Sequence, residues 1–266
     1  MAGARDGAAH GDTRAANVEA WAPSPLDTAA TLDFLRTAAL EPVGWLVGSS
    51  NNAMVVQASG DRQAMLAVWK PTAGEQPLFD FPIGTLTRRE VAAFLVSEVL
   101  GWGIVPPTLL RDGPAGEGML QAWIETDPDA DVIAMVNGDD PRLRRVATLD
   151  AILNNTDRKA GHLLPVQGGH LFAVDHGVTF SVVPKLRTVL WAWEGERFDG
   201  EEGAGLTRVA AALGTGRRPG SLATALGELL AAREVAATRA RVAELLATGV
   251  FPSPNPAWPA IPWPPV

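Results

Sequence analysis

Between Val43 and Ile124 the sequence returns five times to a short apolar run closed by Gly, Pro, Asn or Asp, and breaks that pattern once with a helix. The runs are Gly44–Val47, Ala53–Ala58, Met65–Pro71, Val105–Leu110 and Gly118–Ile124, and the short turns between the first three make antiparallel pairing the economical reading. The insertion, Thr87 to Leu100, carries Val91, Phe94, Leu95, Val99 and Leu100 at helical spacing. Thr87 and Glu90 open it as a capping box, and Gly101 and Gly103 end it. A short helix from Asp27 to about Ala39, stopped by Pro42, precedes the strands.

Beyond Asp139 the chain turns helical. Pro141–Leu153 and Leu222–Ala247 have helix-compatible patterns, the second with Gly227 as a candidate interruption, and two short strands, His162–Val166 and His170–Val174, flank Gln167-Gly168-Gly169. A β-rich half followed by a helical half predicts an α+β fold of two lobes with a cleft between them. The expected boundaries are a tail over 1–25, an N-lobe over 26–125, a C-lobe over 126–250 and a second tail over 251–266. Seven prolines after Phe251 forbid a helix or a central strand there and suit a polyproline conformation that a protein partner could recognise.

Composition narrows the function classes. A formal charge of −8 argues against a general nucleic-acid binder, which needs a surplus of Lys and Arg. The absence of cysteine removes thiol catalysis, disulfides, zinc ribbons and S-acylation. No apolar run reaches the roughly 20 residues of a membrane span, so no integral membrane association is expected and the cytoplasm is the default compartment.

The chemistry concentrates in Asn154-Asn155-Thr156-Asp157-Arg158-Lys159-Ala160-Gly161-His162 and in Val174-Asp175-His176-Gly177. Two carboxylates on adjacent loops, with a side-chain ligand five residues after the first, suit phosphoryl transfer, in which the protein mainly positions groups and neutralises charge. Asp157 would orient or deprotonate a hydroxyl, Lys159 would meet charge on the transferred group, and Asp175 would hold a divalent ion. Upstream, Lys70 at a strand end and Glu90 on the following helix have the types and order of a phosphate-binding Lys and its helix partner. Their plainer reading is a solvated Lys and a capping Glu. Asp150, two helical turns before Asp157, serves the fold, and Trp191 and Trp193 read as packing residues. Lys185 and Arg187 read as a solvated loop, with phosphate recognition as the alternative.

These motifs carry a resemblance. Gly48-Ser49-Ser50 before a strand, Ala67-Val68-Trp69-Lys70-Pro71, Asn155-Thr156-Asp157-Arg158 and Val174-Asp175-His176-Gly177 resemble the glycine/serine loop, nucleotide-binding Lys, catalytic and metal motifs of type II phosphatidylinositol 4-kinases. Arg89 to Leu95 with Val105-Pro106-Pro107 is similar to the helix and strand of the secretory-pathway casein kinases. The span from about Val43 to Trp193 most resembles an actinobacterial phosphatidylinositol 3-/4-kinase-like family. That implies a bilobed protein-kinase-like fold of the atypical, lipid kinase-like type, ATP in the cleft, Mg²⁺ or Mn²⁺, and a hydroxyl acceptor.

The resemblance assigns Lys70 and Glu90 to phosphate positioning, Asp157 to catalysis and Asp175 to metal. It places Ser49, Ser50 and Asn51 against the phosphates, although these residues, with Asn52, also read as plain turn formers. Backbone groups of Gln121, Ala122 and Trp123 would meet adenine. The chain departs from the family at the position five after Asp157, where a metal-binding Asn becomes His162; imidazole suits Mn²⁺ better than Mg²⁺, while orienting Asp175 and simple satisfaction in the loop are the other readings of this His. His176 reads as packing. With no cysteine to acylate and no polybasic face, a protein or small-molecule acceptor is at least as well supported as an inositol lipid. A nucleotide-binding pseudokinase and an AMP-transferring enzyme are the alternatives on the same fold.

Overall fold

The computed structural model of the chain describes residues 27–46, 51–214 and 220–266, so Ser49, Ser50 and the N-terminal tail lie outside the described residues. Helix α1 (Thr28–Thr37) is capped by the Asp27 carboxylate, which accepts the Ala30 N–H at 3.2 Å. Strand β1 (Ala39–Trp45) follows at once, and with β2 (Met54–Ser59), β3 (Ala64–Pro71), β4 (Thr108–Gly113) and β5 (Gly116–Ala122) it forms an antiparallel sheet in the order β1-β2-β3-β5-β4. Pro42, expected to stop the helix, lies inside β1. A residue without an N–H is tolerated because β1 is an edge strand, and the register with β2 slips between Pro42 and Gly44.

The Trp69 indole lies fully buried beneath the sheet. Two glycines of the β4–β5 hairpin make room for it. A Cβ on Gly113 or Gly118 would stand 2.7 Å from the ring, and one on Gly118 would also meet the Lys70 carbonyl at 2.5 Å. The sheet can therefore close over Trp69 while β5 passes tightly beside the strand end that carries Lys70.

Helix α2 (Leu86–Leu100) buries eleven of its fifteen residues and is covered on nearly every side, by β4 and β5 and by helices of the second lobe. Gly101 closes it in the left-handed conformation, as expected. The expected capping box does not form: Thr85 is the N-cap, the N–H and Oγ1 of Thr87 donate to Glu75 Oε1 at 2.8 and 3.0 Å, and Glu90 turns toward the cleft. A carboxylate from a preceding loop thus takes over the cap and leaves Glu90 available for other work.

The second lobe contains α3 (Val132–Asn137), α4 (Pro141–Leu153), the hairpin β6 (Leu163–Pro165) and β7 (Leu171–Ala173), α5 (Gly200–Ala212), α6 (Leu222–Leu229) and α7 (Ala232–Thr248). Its main core joins Phe94 and Leu100 of α2 to Leu149 and Ile152 of α4, Leu206 of α5 and Val242 of α7. The break in the last helical stretch falls at Leu230-Ala231, and Gly227 stays helical. Residues 252–266 were expected to extend past this lobe, yet they run back along it, with the Ala260 carbonyl 3.0 Å from the Thr188 amide and the Pro265 carbonyl 2.9 Å from that of Ala160.

Candidate active site

The cleft between the lobes is organised around the Lys70 ammonium. Strand β3 delivers it; α2 and the loop after β7 enclose it. Lys70 Nζ donates to Glu90 Oε1 at 2.6 Å and to Asp175 Oδ1 at 2.9 Å, and the other Glu90 oxygen accepts the His176 N–H at 2.8 Å. One helix carboxylate therefore holds both the Lys and the loop bearing Asp175. Burial works to lower the Lys70 pKa, but the Asp175 and Glu90 carboxylates outweigh it and raise the ammonium well above its ordinary value. Asp175 is held well below the usual carboxylate range, chiefly by the Lys70 charge, with burial opposing. Its backbone is left-handed, φ 61°, an uncommon conformation for a residue with a Cβ.

The loop carrying Asp157 is fixed from beneath. Asn154 ends α4 in the left-handed conformation and turns the chain. Asn155 then accepts the Asp157 N–H at 3.0 Å and donates to Asp150 at 2.8 Å. Arg158 makes two bonds of 2.9 Å to the fully buried Asp150 carboxylate and donates to the Val174 carbonyl at 2.7 Å. The guanidinium thus ties the Asp157 loop to the strand leading into Asp175. It also lies 2.7 Å from His176 Nε2, and burial first, then the Arg158 charge, keep His176 neutral with its pKa far below the ordinary value. Asp150 and His176 accordingly act as support for the loops, as the sequence suggested.

At the cleft, Asp157 pairs with Lys159 at 3.1 Å, and His162 Nε2 lies 3.3 Å from Asp175 Oδ2. Burial lowers the His162 pKa against the pull of the Asp175 charge, so its imidazole is neutral. The His162 Nε2 and Asp175 Oδ2, set side by side at the cleft, are of the types that can share one divalent cation. Among the described residues no three His, Asp or Glu side chains converge as a metal cage. The remaining ligands would have to come from phosphate oxygens and water, the usual arrangement for a phosphate-bridging ion. Charge points the same way. Lys70 and Lys159 against Glu90, Asp157 and Asp175 leave the cleft one negative, and a polyphosphate would enter it more readily with a cation.

Part of the Gln121–Trp123 backbone expected to meet adenine is already engaged. The Ala122 and Trp123 amides donate to the Pro107 and Leu66 carbonyls at 3.0 and 3.1 Å, and the buried Gln121 side chain donates to Thr108 at 2.8 Å. Neither of those backbone amides is therefore free to donate to adenine. Asn51 accepts the Gln76 N–H at 3.0 Å and lines a small hollow with Lys70, Glu75, Thr87 and Gly177. Lys185, read as solvated, is largely buried in an ion pair with Asp80 and lies 4.9 Å from the Trp258 ring centroid.

Sequence reasoning missed Arg89. Its Nη2 meets Glu234 Oε1 at 2.5 Å and its Nη1 meets the Thr179 carbonyl at 2.7 Å, both buried between the lobes. Its separation from Glu234 leaves no local signal, whereas the Asp150–Arg158 spacing could have suggested that pair.

Protein Rv2133c of Mycobacterium tuberculosis is 39% identical to the chain over 260 residues, covering 85% of this chain and 91% of that protein. The chain belongs to the Rv2133c family. That name states no activity, and no protein-family model matches the chain. Hydra Fam20, solved with sugar, is similar in structure to this Rv2133c relative, with a TM-score of 0.53 and 14% identity over 85% of this chain and 89% of that one. The Golgi casein kinase, solved with Mn and ADP, gives a TM-score of 0.53 and 16% identity over 85% and 76%. The Rv2133c relative thus has the mixed α+β, kinase-like fold of these proteins. Among the described residues no helix is long and apolar enough to cross a membrane.

Proposed function

We propose that the protein is an ATP-dependent phosphotransferase that moves the γ-phosphate to a hydroxyl acceptor. The observation that carries this reading is the single ammonium of Lys70 bridging Glu90 and Asp175 across the cleft. Lys70 would bind the α- and β-phosphates, with Glu90 holding it in place. Asp175 and His162 would hold Mg²⁺ or Mn²⁺, which when bound neutralises phosphate charge. Asp157 would accept the hydroxyl proton as the oxygen attacks, and Lys159 would steady the charge on the transferred group. The Golgi casein kinase, whose structure holds Mn and ADP, supports the choice of ligands by analogy. Asn51 would face the phosphates together with Ser49 and Ser50. Placement among the phosphatidylinositol 3-/4-kinase-like proteins rests on the motifs alone.

The test compares γ- and α-labelled ATP, with Mg²⁺ and with Mn²⁺, on the natural chain and on Asp157→Ala and Asp175→Ala. The expected result is γ-label transfer or ATP hydrolysis that both substitutions abolish. Transfer of the α-label would select AMP transfer instead. Nucleotide binding with no label moved in any arm would select the pseudokinase.

A further inference from the structure

Residues 252–266 contain seven prolines and few backbone donors, and the surface they cover complements that chemistry. The anchor is Phe251, buried in the core, with its N–H on the Glu196 carbonyl at 2.9 Å. From there the segment receives hydrogen bonds mostly through its own carbonyls. Ala260 accepts the Thr188 N–H and the Trp191 Nε1–H, each at 3.0 Å, and Pro265 accepts the Ala160 N–H at 2.9 Å. Trp258 stacks over the Lys185 ammonium, and Pro262 is buried.

Its course follows the loops of the candidate active site. Arg158 pairs in parallel with Thr188, and Thr188 in turn meets Ala260, so the segment is the outer member of a small three-chain arrangement whose inner member follows Asp157 directly. Ala160 is the residue after Lys159. Farther on, Val266 reaches a cleft of about 310 Å³ bordered by Asp127, Val132, Gly161 and Leu163. Between Pro254 and Val266 there is no Ser, Thr or Tyr, so this stretch itself carries no side-chain hydroxyl.

We propose that the face formed by residues 158–160 and 184–191 is a docking groove for an extended, proline-rich chain, filled in cis by residues 254–266, which compete there with the acceptor. The competition rests on the phosphotransferase reading; the docking does not. Backbone pairing to an added chain and an aromatic–proline surface are two established ways of holding an extended peptide, and this groove combines them.

The experiment uses the full chain carrying Trp258→Ala together with Pro262→Asp, and the milder Trp258→Ala alone should the pair disturb folding. Amide exchange at Ala160 and Thr188 is expected to accelerate at least about tenfold in the variant. A synthetic peptide of residues 254–266 should bind the variant and restore that protection. With a serine-containing peptide as acceptor, γ-phosphate transfer should rise in the variant, and the added peptide should inhibit it competitively with acceptor and not with ATP. Unchanged exchange in both variants, or no binding of the peptide, overturns the groove. Peptide binding with unchanged transfer overturns the competition. Peptide binding and restored protection with no transfer from any form supports the groove and defeats the phosphotransferase reading instead.

Discussion

Replacing Glu234 with Leu should destabilise the protein more than any single change in the cleft. The carboxylate has two duties. One oxygen pairs with the buried Arg89 guanidinium at 2.5 Å, and the other accepts the Ala231 N–H at 2.9 Å as the cap of α7. Breaking a buried ion pair from one side costs about 3–5 kcal/mol, because the remaining charge stays desolvated. Losing the cap adds about 1 kcal/mol. At about 2–4 °C per kcal/mol for a chain of this size, Glu234→Leu should lower the melting temperature by about 10–20 °C in a circular-dichroism melt. Glu234→Gln keeps a single acceptor oxygen, so either the Arg89 guanidinium or the Ala231 N–H is left facing an amide –NH2, and the variant should lose at least about 1–3 kcal/mol. The double variant Arg89→Met, Glu234→Leu removes the orphaned charge and should recover most of the loss apart from the cap. A Glu234→Leu shift under about 2 °C, or a double variant no better than the single, would refute the argument that Arg89 is a buried charge dependent on this partner.

Other outcomes follow from the cleft. Lys70→Met leaves Glu90 and Asp175 without their common cation and should weaken ATP binding at least about tenfold by calorimetry, with unchanged affinity counting against the proposed phosphate site. His162→Asn should move the Mn²⁺/Mg²⁺ activity ratio toward Mg²⁺ by about tenfold, and an unaltered ratio would show that His162 does not touch the ion. His176 faces Arg158, Lys70, His162 and Asp175, and it stays neutral in the fold while the unfolded chain binds a proton below about pH 6.5. Its contribution to stability is therefore complete above that pH and is lost as pH falls. Urea midpoints measured from pH 7.5 to 5 should decline less steeply in His176→Gln, by up to about 1.4 kcal/mol per pH unit below 6.5, and an equal slope would count against a buried neutral ring.

The parts of the molecule legible in the sequence are those decided by local rules. Strand alternation and turn residues placed β2 to β5, and apolar spacing from Pro141 to Leu153 placed α4. Local rules misled where a tertiary partner took over. Thr87 and Glu90 have capping-box spacing, but Glu75 supplies the cap and Lys70 claims Glu90. Helix α5 was hidden by Gly200, Gly203 and Gly205. Asp199 and Glu202 cap it, and Gly205 is required because a Cβ there would stand 2.6 Å from Trp102. Sequence order places Gln121–Trp123 between the lobes without revealing that the Ala122 and Trp123 amides are already held by the Pro107 and Leu66 carbonyls.

The same distinction bears on how the cleft is controlled. A helix that swings to make or break a Lys–Glu pair needs one face free to leave its neighbours. Helix α2 is buried on nearly all sides, and the residue before Glu90 is bound to α7 across the lobes. Moving Glu90 away from Lys70 would also withdraw its second oxygen from the His176 N–H and uncouple the loop that carries Asp175. Each of these contacts raises the free energy of an α2 position in which Glu90 leaves Lys70, so the cation–carboxylate centre is held assembled by the fold itself. Control of the proposed activity is then better placed at a segment held largely through its carbonyls on the surface, where opening disturbs little of the core. Residues 254–266 meet that requirement, and α2 does not.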